Sequence, residues 1–268
     1  MVVGLCANAK KENAYINEWV GHHIGLGFDH IWLYDNNDEG YPYVGDFIDK
    51  EYRDKVTIIK YDYEFTEDKL NTVPSNGAYS DFLERYRGDV DWCAFIDIDE
   101  FVILDGFDSV KSYLEKAPQE CDCVCLYWRM YGDDGVIEGD ESEPVLERFR
   151  ICIDERLISE GLGYPYGYKT MIRCDKPLSY SQHIFYHNGE ELTNYDSRFK
   201  LMDNVLESKN NGVCWINHYM TKTLSEFLKY WNIGGIGGWG ITDPIEYFFR
   251  INERTDGKER YIREHFIY

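Results

Sequence analysis

Short apolar runs alternate with apolar stripes at helical spacing over residues 1–100. The runs are continuous and rich in aromatic and β-branched residues, which is typical of buried strands. Alternating strands and helices predict an α/β fold with a mostly parallel central sheet flanked by helices on both faces. The predicted strands are residues 2–7, 30–34, 56–61 and 92–96, and the predicted helices are residues 14–26, with Asn13 as N-cap and Gly27 as C-cap glycine, and 75–87.

The regular alternation ends after Glu100, and the later elements are spaced unevenly. Thr223 and Glu226 have the spacing of a capping box, which predicts that a helix begins there. The chain has no long Pro/Gly/Ser-rich linker and no internal repeat, so residues 1–268 are predicted to form a single domain. The later predicted elements are a short helix at 110–117, strands at 124–128, 169–173 and 212–217, and a helix at 223–231.

Asp97 and Asp99 follow the apolar run at 92–96, one residue apart. If the strand continues through them, both carboxylates point to one face while Ile98 points into the core. Two carboxylates on one face repel each other unless a cation lies between them or each finds its own donors. In open α/β sheets ligands bind beyond the carboxyl ends of strands, so Mg²⁺ or Mn²⁺ together with substrate phosphates is one reading. A strand that ends in an acidic turn is the other.

Composition narrows the class of protein. The 268 residues carry a net charge of −21, which disfavours nucleic acid and anionic lipid as partners. The eight cysteines show neither a CxxC pair nor zinc-ligand spacing, which predicts free thiols in a reducing compartment. The beginning of the chain does not resemble a signal peptide, and no apolar stretch is long enough to span a membrane. We therefore expect a cytoplasmic location.

Several stretches resemble GT-A type glycosyltransferases of the family 2-like group, and the chain is also similar to family 92. The resemblance spans residues 4 to about 235 and follows the order of the family. Residues 128–135 and 169–173 support it. The four main stretches are Asn13–His23, Gly27–Asn37, Trp92–Phe101 with its Asp-X-Asp-Glu-Phe core, and Asn217–Lys222.

The resemblance implies a nucleotide-diphosphate sugar donor, a glycan or other hydroxyl acceptor, and transfer with inversion at the anomeric carbon. It also implies a divalent metal, Mn²⁺ or Mg²⁺, on Asp97 and Asp99. A late histidine commonly completes the metal shell in this fold, which makes His218 the third candidate ligand. Residues 1–100 would then form the half that binds the nucleotide sugar, and residues 101–268 the acceptor-side half.

The candidate substrate-binding residues lie at strand ends and among exposed aromatics. Asp35 ends the second predicted strand and matches a position near the nucleoside in similar folds. Lys169 either binds diphosphate or balances the acidic surface, and Asp97 is expected to contact substrate as well as metal. The other candidates are Ala7 and Asn8 at the end of the first strand and Trp128 and Trp239, whose flat faces suit sugar rings.

Asp133 and Asp134 are the candidates for the catalytic base, although aspartate is ordinary chemistry in a turn. The family usually has small polar residues at this turn, and the chain departs from that pattern. His22 and His23 are interpreted as packing and helix-end residues. The segment Gly234–Gly240 lacks Gly-Lys-Ser/Thr and is no phosphate loop, so it is either a lid that carries Trp239 or a simple loop.

Two other classes of protein remain open from the sequence. A nucleotidyltransferase also clamps nucleotide phosphates through paired aspartates. A non-catalytic carbohydrate- or Ca²⁺-binding module would equally suit the acidity and the aromatic content of the chain. The products of the reaction separate these classes, because glycosyl transfer releases a nucleoside diphosphate and nucleotidyl transfer releases pyrophosphate.

Overall fold

The computed structural model describes residues 1–61, 74–152, 167–181, 184–202, 212–232 and 243–252. The chain divides into two compact units, Met1–Tyr127 with Tyr168–Ile216 and Trp128–Gly167 with Asn217–Tyr268. Whether the whole chain acts as one domain, with halves that meet after Glu100, stays a prediction.

The strands and helices are numbered here in chain order. The strands are β1 Val3–Ala9, β2 His30–Asp35, β3 Val56–Lys60, β4 Trp92–Phe95, β5 Glu100–Leu104, β6 Cys123–Met130, β7 Tyr168–Arg173, β8 Ser179–Ser181, β9 Ile184–His187, β10 Glu190–Glu191, β11 Asn194–Tyr195 and β12 Cys214–His218. The α-helices are α1 Ile16–Gly25, α2 Pro74–Arg85, α3 Val110–Leu114, α4 Val145–Arg148, α5 Leu224–Asn232 and α6 Pro244–Asn252.

The mixed α/β class is confirmed, but a mostly parallel sheet is not, because the large sheet is mixed. Its order is β3-β2-β1-β4-β7-β6-β12-β5, with β11 beside β6. The pairs β3-β2, β2-β1 and β1-β4 are parallel, as the first part of the sequence predicts. The strand β7 runs antiparallel to both β4 and β6. A separate sheet holds β8, β9 and β10.

Helix α2 packs aromatic side chains against the large sheet. The ring of Tyr79 meets that of Phe95 edge-on at 4.9 Å between centroids, and Phe82 meets the same ring at 5.5 Å. Ala78, Phe82 and Leu83 are buried, as the helical stripe predicts. Edge-to-face aromatic pairs add to the free energy gained from burial, so this layer fixes the position of β4.

Helix α1 begins later than predicted. Its N-cap is Tyr15, which makes no side-chain cap hydrogen bond, so the prediction of Asn13 as N-cap is wrong. The Asn13 side chain instead donates to the carbonyl of Pro42 and accepts from the Asn37 side chain. These two hydrogen bonds link the loop before α1 to the loop after β2. The C-cap prediction is confirmed: Gly27 has φ +98°, a conformation that glycine adopts without strain.

The second unit is built around α5 and α6. Thr223 Oγ1 accepts from the backbone N–H of Glu226, and Glu226 Oε2 accepts from the backbone N–H of Thr223, which confirms the predicted capping box. The same Glu226 carboxylate forms a bidentate pair with Arg148 at 2.9 and 3.0 Å, and both side chains are almost fully buried. Bidentate pairs of this kind fix geometry as well as charge.

Two general expectations concern thiols and membranes. All eight cysteines are free, as predicted. Among the described residues, no helix combines the length and the apolar character needed to cross a bilayer. The cytoplasmic location stays a prediction.

Candidate functional site

The stretch from Asp97 to Glu100 forms a tight turn between β4 and β5. The strand ends at Phe95, so the reading in which it continues through both aspartates is wrong, and the alternative of a strand that ends in an acidic turn is the geometry observed. The backbone N–H of Glu100 donates to the carbonyl of Asp97 at 3.2 Å. The backbone N–H of Asp97 in turn donates to Glu100 Oε2 at 2.8 Å. These reciprocal hydrogen bonds close the turn and end the strand.

The carboxylates of this turn differ in their access to solvent. The side chain of Asp97 is 43% exposed, whereas Asp99 is 6% exposed and Glu100 is fully buried. Ile98 between the two aspartates is buried, as predicted. A turn that collects three carboxylates at the end of a central strand is costly unless cations or donors compensate the charge.

Lys169 supplies part of that compensation. In the antiparallel register of β4 and β7, Phe95 faces Thr170, so Lys169, the residue before Thr170, lies level with the start of the turn. Lys169 Nζ lies 2.5 Å from Asp97 Oδ2 and 3.6 Å from Glu100 Oε2, and its side chain is only 4% exposed. Burial alone would lower the pKa of Lys169, but the two carboxylates raise it above its ordinary value. The ammonium therefore stays charged beside the turn.

Helix α1 contacts the end of the turn and the start of β5 through side chains that bind backbone groups of Glu100 and Val102. Trp19 Nε1 donates to the carbonyl of Glu100 at 2.8 Å. His22 Nε2 lies 2.8 Å from the carbonyl of Val102. The backbone N–H of Val102 donates to His23 Nε2 at 3.2 Å, so this nitrogen carries no proton.

The same contacts fix the protonation of His23. Its Nδ1 lies 2.8 Å from the carbonyl of Trp19 and must be the protonated nitrogen, because Nε2 is an acceptor. Burial, and then the neighbouring His22, lower the pKa of His23 well below its ordinary value. Burial lowers the pKa of His22 as well. The interpretation of both histidines as packing and hydrogen-bonding residues is confirmed.

The ends of β1 and β2 carry the candidates for nucleoside contact. Ala7 is buried and Asn8 is half-buried. Within the part of the chain that the structure describes, Asn8 Oδ1 has no hydrogen-bond partner. Asp35 is buried, and its carboxylate accepts from the backbone N–H groups of Asn37 at 3.1 Å and Val44 at 3.5 Å. Asp35 thus holds the loop after β2, and a contact with substrate stays a prediction.

The oxygen atoms of the Asp97–Glu100 turn fit a hard divalent cation. Carboxylate oxygens are the ligands that Mg²⁺ and Mn²⁺ prefer, and Asp97 is open to solvent while Asp99 is nearly closed to it. The turn itself, closed by Glu100, fixes the backbone of both aspartates. The chemistry of these donors therefore agrees with the predicted metal.

The second unit contains the remaining described candidates. His218 is the last residue of β12, and its ring lies 4.5 Å from that of Trp128, centroid to centroid. The backbone N–H of Trp128 donates to the carbonyl of Gly167. This packing leaves the role of His218 as a metal ligand and of Trp128 as a sugar platform as predictions.

Asp133 and Asp134 bind backbone groups rather than each other. Asp133 Oδ1 accepts from the N–H of Gly135 at 3.1 Å. The Asp134 carboxylate accepts from the N–H of Arg150 at 2.6 Å and of Ile151 at 3.1 Å, and Asp134 has φ +48°. These bonds give both carboxylates a structural role, and their assignment as catalytic base stays a prediction. Trp239 and Gly234–Gly240 lie outside the described residues.

Sequence reasoning missed the structural role of Glu100 and the pairing of Lys169 with Asp97. The spacing of Asp97 and Glu100 was a readable signal for the first, since a carboxylate three residues on can reach back to a free backbone N–H. The second had no local signal, because Lys169 lies 72 residues from Asp97 in the chain.

Comparison with known protein families and curated proteins gives a family and a relative. The model of glycosyltransferase family 92 matches residues 3–229. A curated glycosyltransferase family 92 protein from Oryza sativa subsp. japonica is 23% identical over 111 residues, which cover 41% of this chain and 18% of the relative. The matched part is therefore a small fraction of that relative.

Among solved structures, the chain is similar to the apo structure of the bifunctional glycosyltransferase WbbM. The two chains are 12% identical, and the match covers 65% of this chain and 32% of the other with a TM-score of 0.29. A TM-score this low carries no argument about the site.

Proposed function

This chain belongs to glycosyltransferase family 92, and we propose that it moves a sugar from a nucleotide-diphosphate sugar to a hydroxyl group. The acceptor is a glycan or another hydroxyl compound, and the anomeric carbon is inverted. The observation that carries this proposal is the Asp97–Glu100 turn, a set of carboxylates fixed between β4 and β5. Its position beyond a strand that pairs in parallel with β1 agrees with the usual ligand edge of α/β sheets.

The carboxylates of Asp97 and Asp99 would hold Mn²⁺ or Mg²⁺. A bound divalent cation neutralises the negative charge that develops on a departing diphosphate and orients it. Lys169 adds a positive charge 2.5 Å from Asp97, and this charge also suits a diphosphate. His218 is added as a ligand on the resemblance alone.

The donor's nucleoside would lie at the carboxyl ends of β1 and β2. Asn8 supports this placement, because its Oδ1 has no partner among the described residues and can accept from a base or ribose. Asp35 and Ala7 then shape the pocket, Asp35 through the loop that it ties to Asn37 and Val44. For the acceptor, Trp128 and Trp239 stay candidates from the sequence.

A nucleotide-sugar screen tests the proposed function. Each donor is added with Mn²⁺, and the melting temperature is measured, since a ligand at a hundredfold excess over its Kd stabilises the native state by ~2.7 kcal/mol. Donors that bind are then incubated with hydroxyl acceptors, and the nucleotide product is identified. Release of nucleoside diphosphate with an inverted glycoside supports the proposal.

Other products contradict it. Pyrophosphate would indicate a nucleotidyltransferase, and metal-independent glycan binding without turnover would indicate a binding module. Removal of metal gives a separate test: we expect EDTA to abolish transfer, and Mn²⁺ or Mg²⁺ to restore it better than Zn²⁺. Undiminished transfer after EDTA treatment and dialysis would contradict the metal requirement.

A further inference from the structure

The ammonium of Lys169 lies where a metal would need the Asp97 carboxylate. Its Nζ contacts Asp97 Oδ2 at 2.5 Å, which engages that oxygen in a charge-assisted hydrogen bond. Glu100 Oε2 lies 3.6 Å from the same ammonium. The charge of the turn is thus neutralised in part by a cation from its own chain.

We propose that Lys169 couples metal binding to donor binding by competing with the metal for Asp97. Without a nucleotide, the ammonium holds the carboxylate and weakens its affinity for the cation. When a nucleotide diphosphate is bound, its oxygens offer the ammonium a new partner, and Asp97 is released to the metal. The inference rests on the proposed function, since it assigns an order of events to the same site.

Burial explains why the competition depends on the diphosphate. The Lys169 side chain is 4% exposed, so its ammonium cannot leave Asp97 for bulk water without a large rearrangement. A buried charge that loses its partner is strongly destabilising, so Lys169 needs another anion before it lets go. The Asp97 side chain is 43% exposed and can be approached by a metal from solvent.

Lys169 borders a small pocket. Its volume of about 10 Å³ suits a single water-sized group, and it is lined by Lys169 together with Tyr79, Tyr168, Thr170 and Tyr180. A lysine side chain has a flexible stem and a compact head that can turn between partners.

The test measures binding of Mn²⁺ by the electron paramagnetic resonance signal of the free ion. The variant Lys169→Met is compared with the wild type and with Lys111→Met. Lys111 lies on α3, away from the Asp97–Glu100 turn, and its Nζ pairs with Asp29 Oδ1 at 2.6 Å. Its replacement therefore removes the same charge and a lysine–aspartate pair without touching the turn. Each protein is titrated with Mn²⁺ alone, and then with Mn²⁺ in the presence of uridine, guanosine or adenosine diphosphate.

With Mn²⁺ alone, we expect Lys169→Met to bind the ion about tenfold more tightly than the wild type, because a close charge pair no longer competes. Lys111→Met should bind like the wild type. At least one of the diphosphates should tighten Mn²⁺ binding in the wild type, and that gain should shrink in Lys169→Met. Equal Mn²⁺ affinity of the wild type and Lys169→Met would overturn the proposal.

The wild type alone provides a second test if Lys169→Met does not fold. Mn²⁺ affinity that stays the same with and without every diphosphate that itself binds would overturn the coupling, even though transfer could still occur. Absence of Mn²⁺ binding in all proteins would instead reject the metal in the proposed function, and this inference with it. Mn²⁺ binding by the wild type that tightens with diphosphate, beyond the Mn²⁺ that the same diphosphate binds in buffer without protein, supports the coupling.

Discussion

Two acidic turns of this chain look alike in sequence but use their carboxylates differently. In the turn of the second unit, Asp133 and Asp134 are occupied by backbone N–H groups of Gly135, Arg150 and Ile151. In the Asp97–Glu100 turn, the backbone is closed by Glu100, which leaves Asp97 to face a lysine and solvent.

The difference shows which carboxylates can take part in chemistry. A carboxylate that satisfies backbone donors stabilises a loop, and removing it leaves those donors unpaired. A carboxylate held beside a cation, with part of its surface open, can exchange that cation for a metal or substrate. The comparison therefore predicts activity changes at one turn and stability changes at the other.

The largest expected effect is on activity at the first turn. We expect Asp99→Asn to lower sugar transfer by ~10²-fold or more, because it removes a charge that would hold the metal at the leaving group. The melting temperature should change little, since one charge fewer relieves repulsion within the turn. Initial rates with the donor found by screening and thermal melting check both parts. Wild-type turnover without added divalent ion would contradict the metal clamp.

The sequence predicted those parts of the fold that depend on local patterns. The strands β1 to β4, the C-cap glycine Gly27 and the Thr223–Glu226 capping box each follow from residues close together in the chain. It did not predict the antiparallel direction of β7, because an apolar run reads the same in either direction and strand direction is set by non-local pairing.

The candidate site was predicted in composition but not in geometry. The spacing of Asp97 and Asp99 identifies both residues but leaves open whether the strand continues through them, which the hydrogen bond from the N–H of Asp97 to Glu100 decides. Lys169 was found as a candidate cation, but its partner depends on the register of β4 and β7. Contacts that depend on which residues of two strands lie opposite each other cannot be predicted from the sequence of either strand alone.

A smaller effect is expected at the second turn. Asp134→Ala should lower the free energy of unfolding by about 2 kcal/mol, because the N–H groups of Arg150 and Ile151 lose their acceptor. Its φ of +48° adds to the cost, since alanine tolerates this conformation poorly. Urea denaturation measures the change. Asp140→Ala is the control, because its exposed carboxylate accepts, among the described residues, from the N–H and hydroxyl of Ser142.

The rate of sugar transfer by a second Asp134 variant tests whether this carboxylate has a catalytic role. Asp134→Asn keeps the shape of the side chain and an acceptor oxygen, so it should fold like the wild type. If this variant keeps its stability but loses sugar transfer, Asp134 is the base and the contrast between the two turns fails. A stability loss in Asp134→Ala with retained transfer in Asp134→Asn supports the structural role.

The smallest expected effect is a pH dependence of stability that arises from His22 and His23, the α1 residues in contact with β5. Burial lowers the pKa of His22 and His23 in the folded protein, whereas in the unfolded chain both have their ordinary pKa of about 6.5. Below that pH the unfolded state binds protons that the folded state refuses. The stabilisation is therefore complete above about pH 6.5 and is lost as the pH falls, by at most ~1.4 kcal/mol per pH unit for each histidine.

Urea denaturation of the wild type and of His23→Gln at several pH values measures this loss. Glutamine can accept from the N–H of Val102 and donate to the carbonyl of Trp19, but it does not titrate. The variant should therefore lose less stability on acidification than the wild type, while carboxylates elsewhere affect both proteins equally. An identical pH dependence of the two proteins would show that His23 does not stay neutral in the folded protein and does not contribute to the loss of stability in acid.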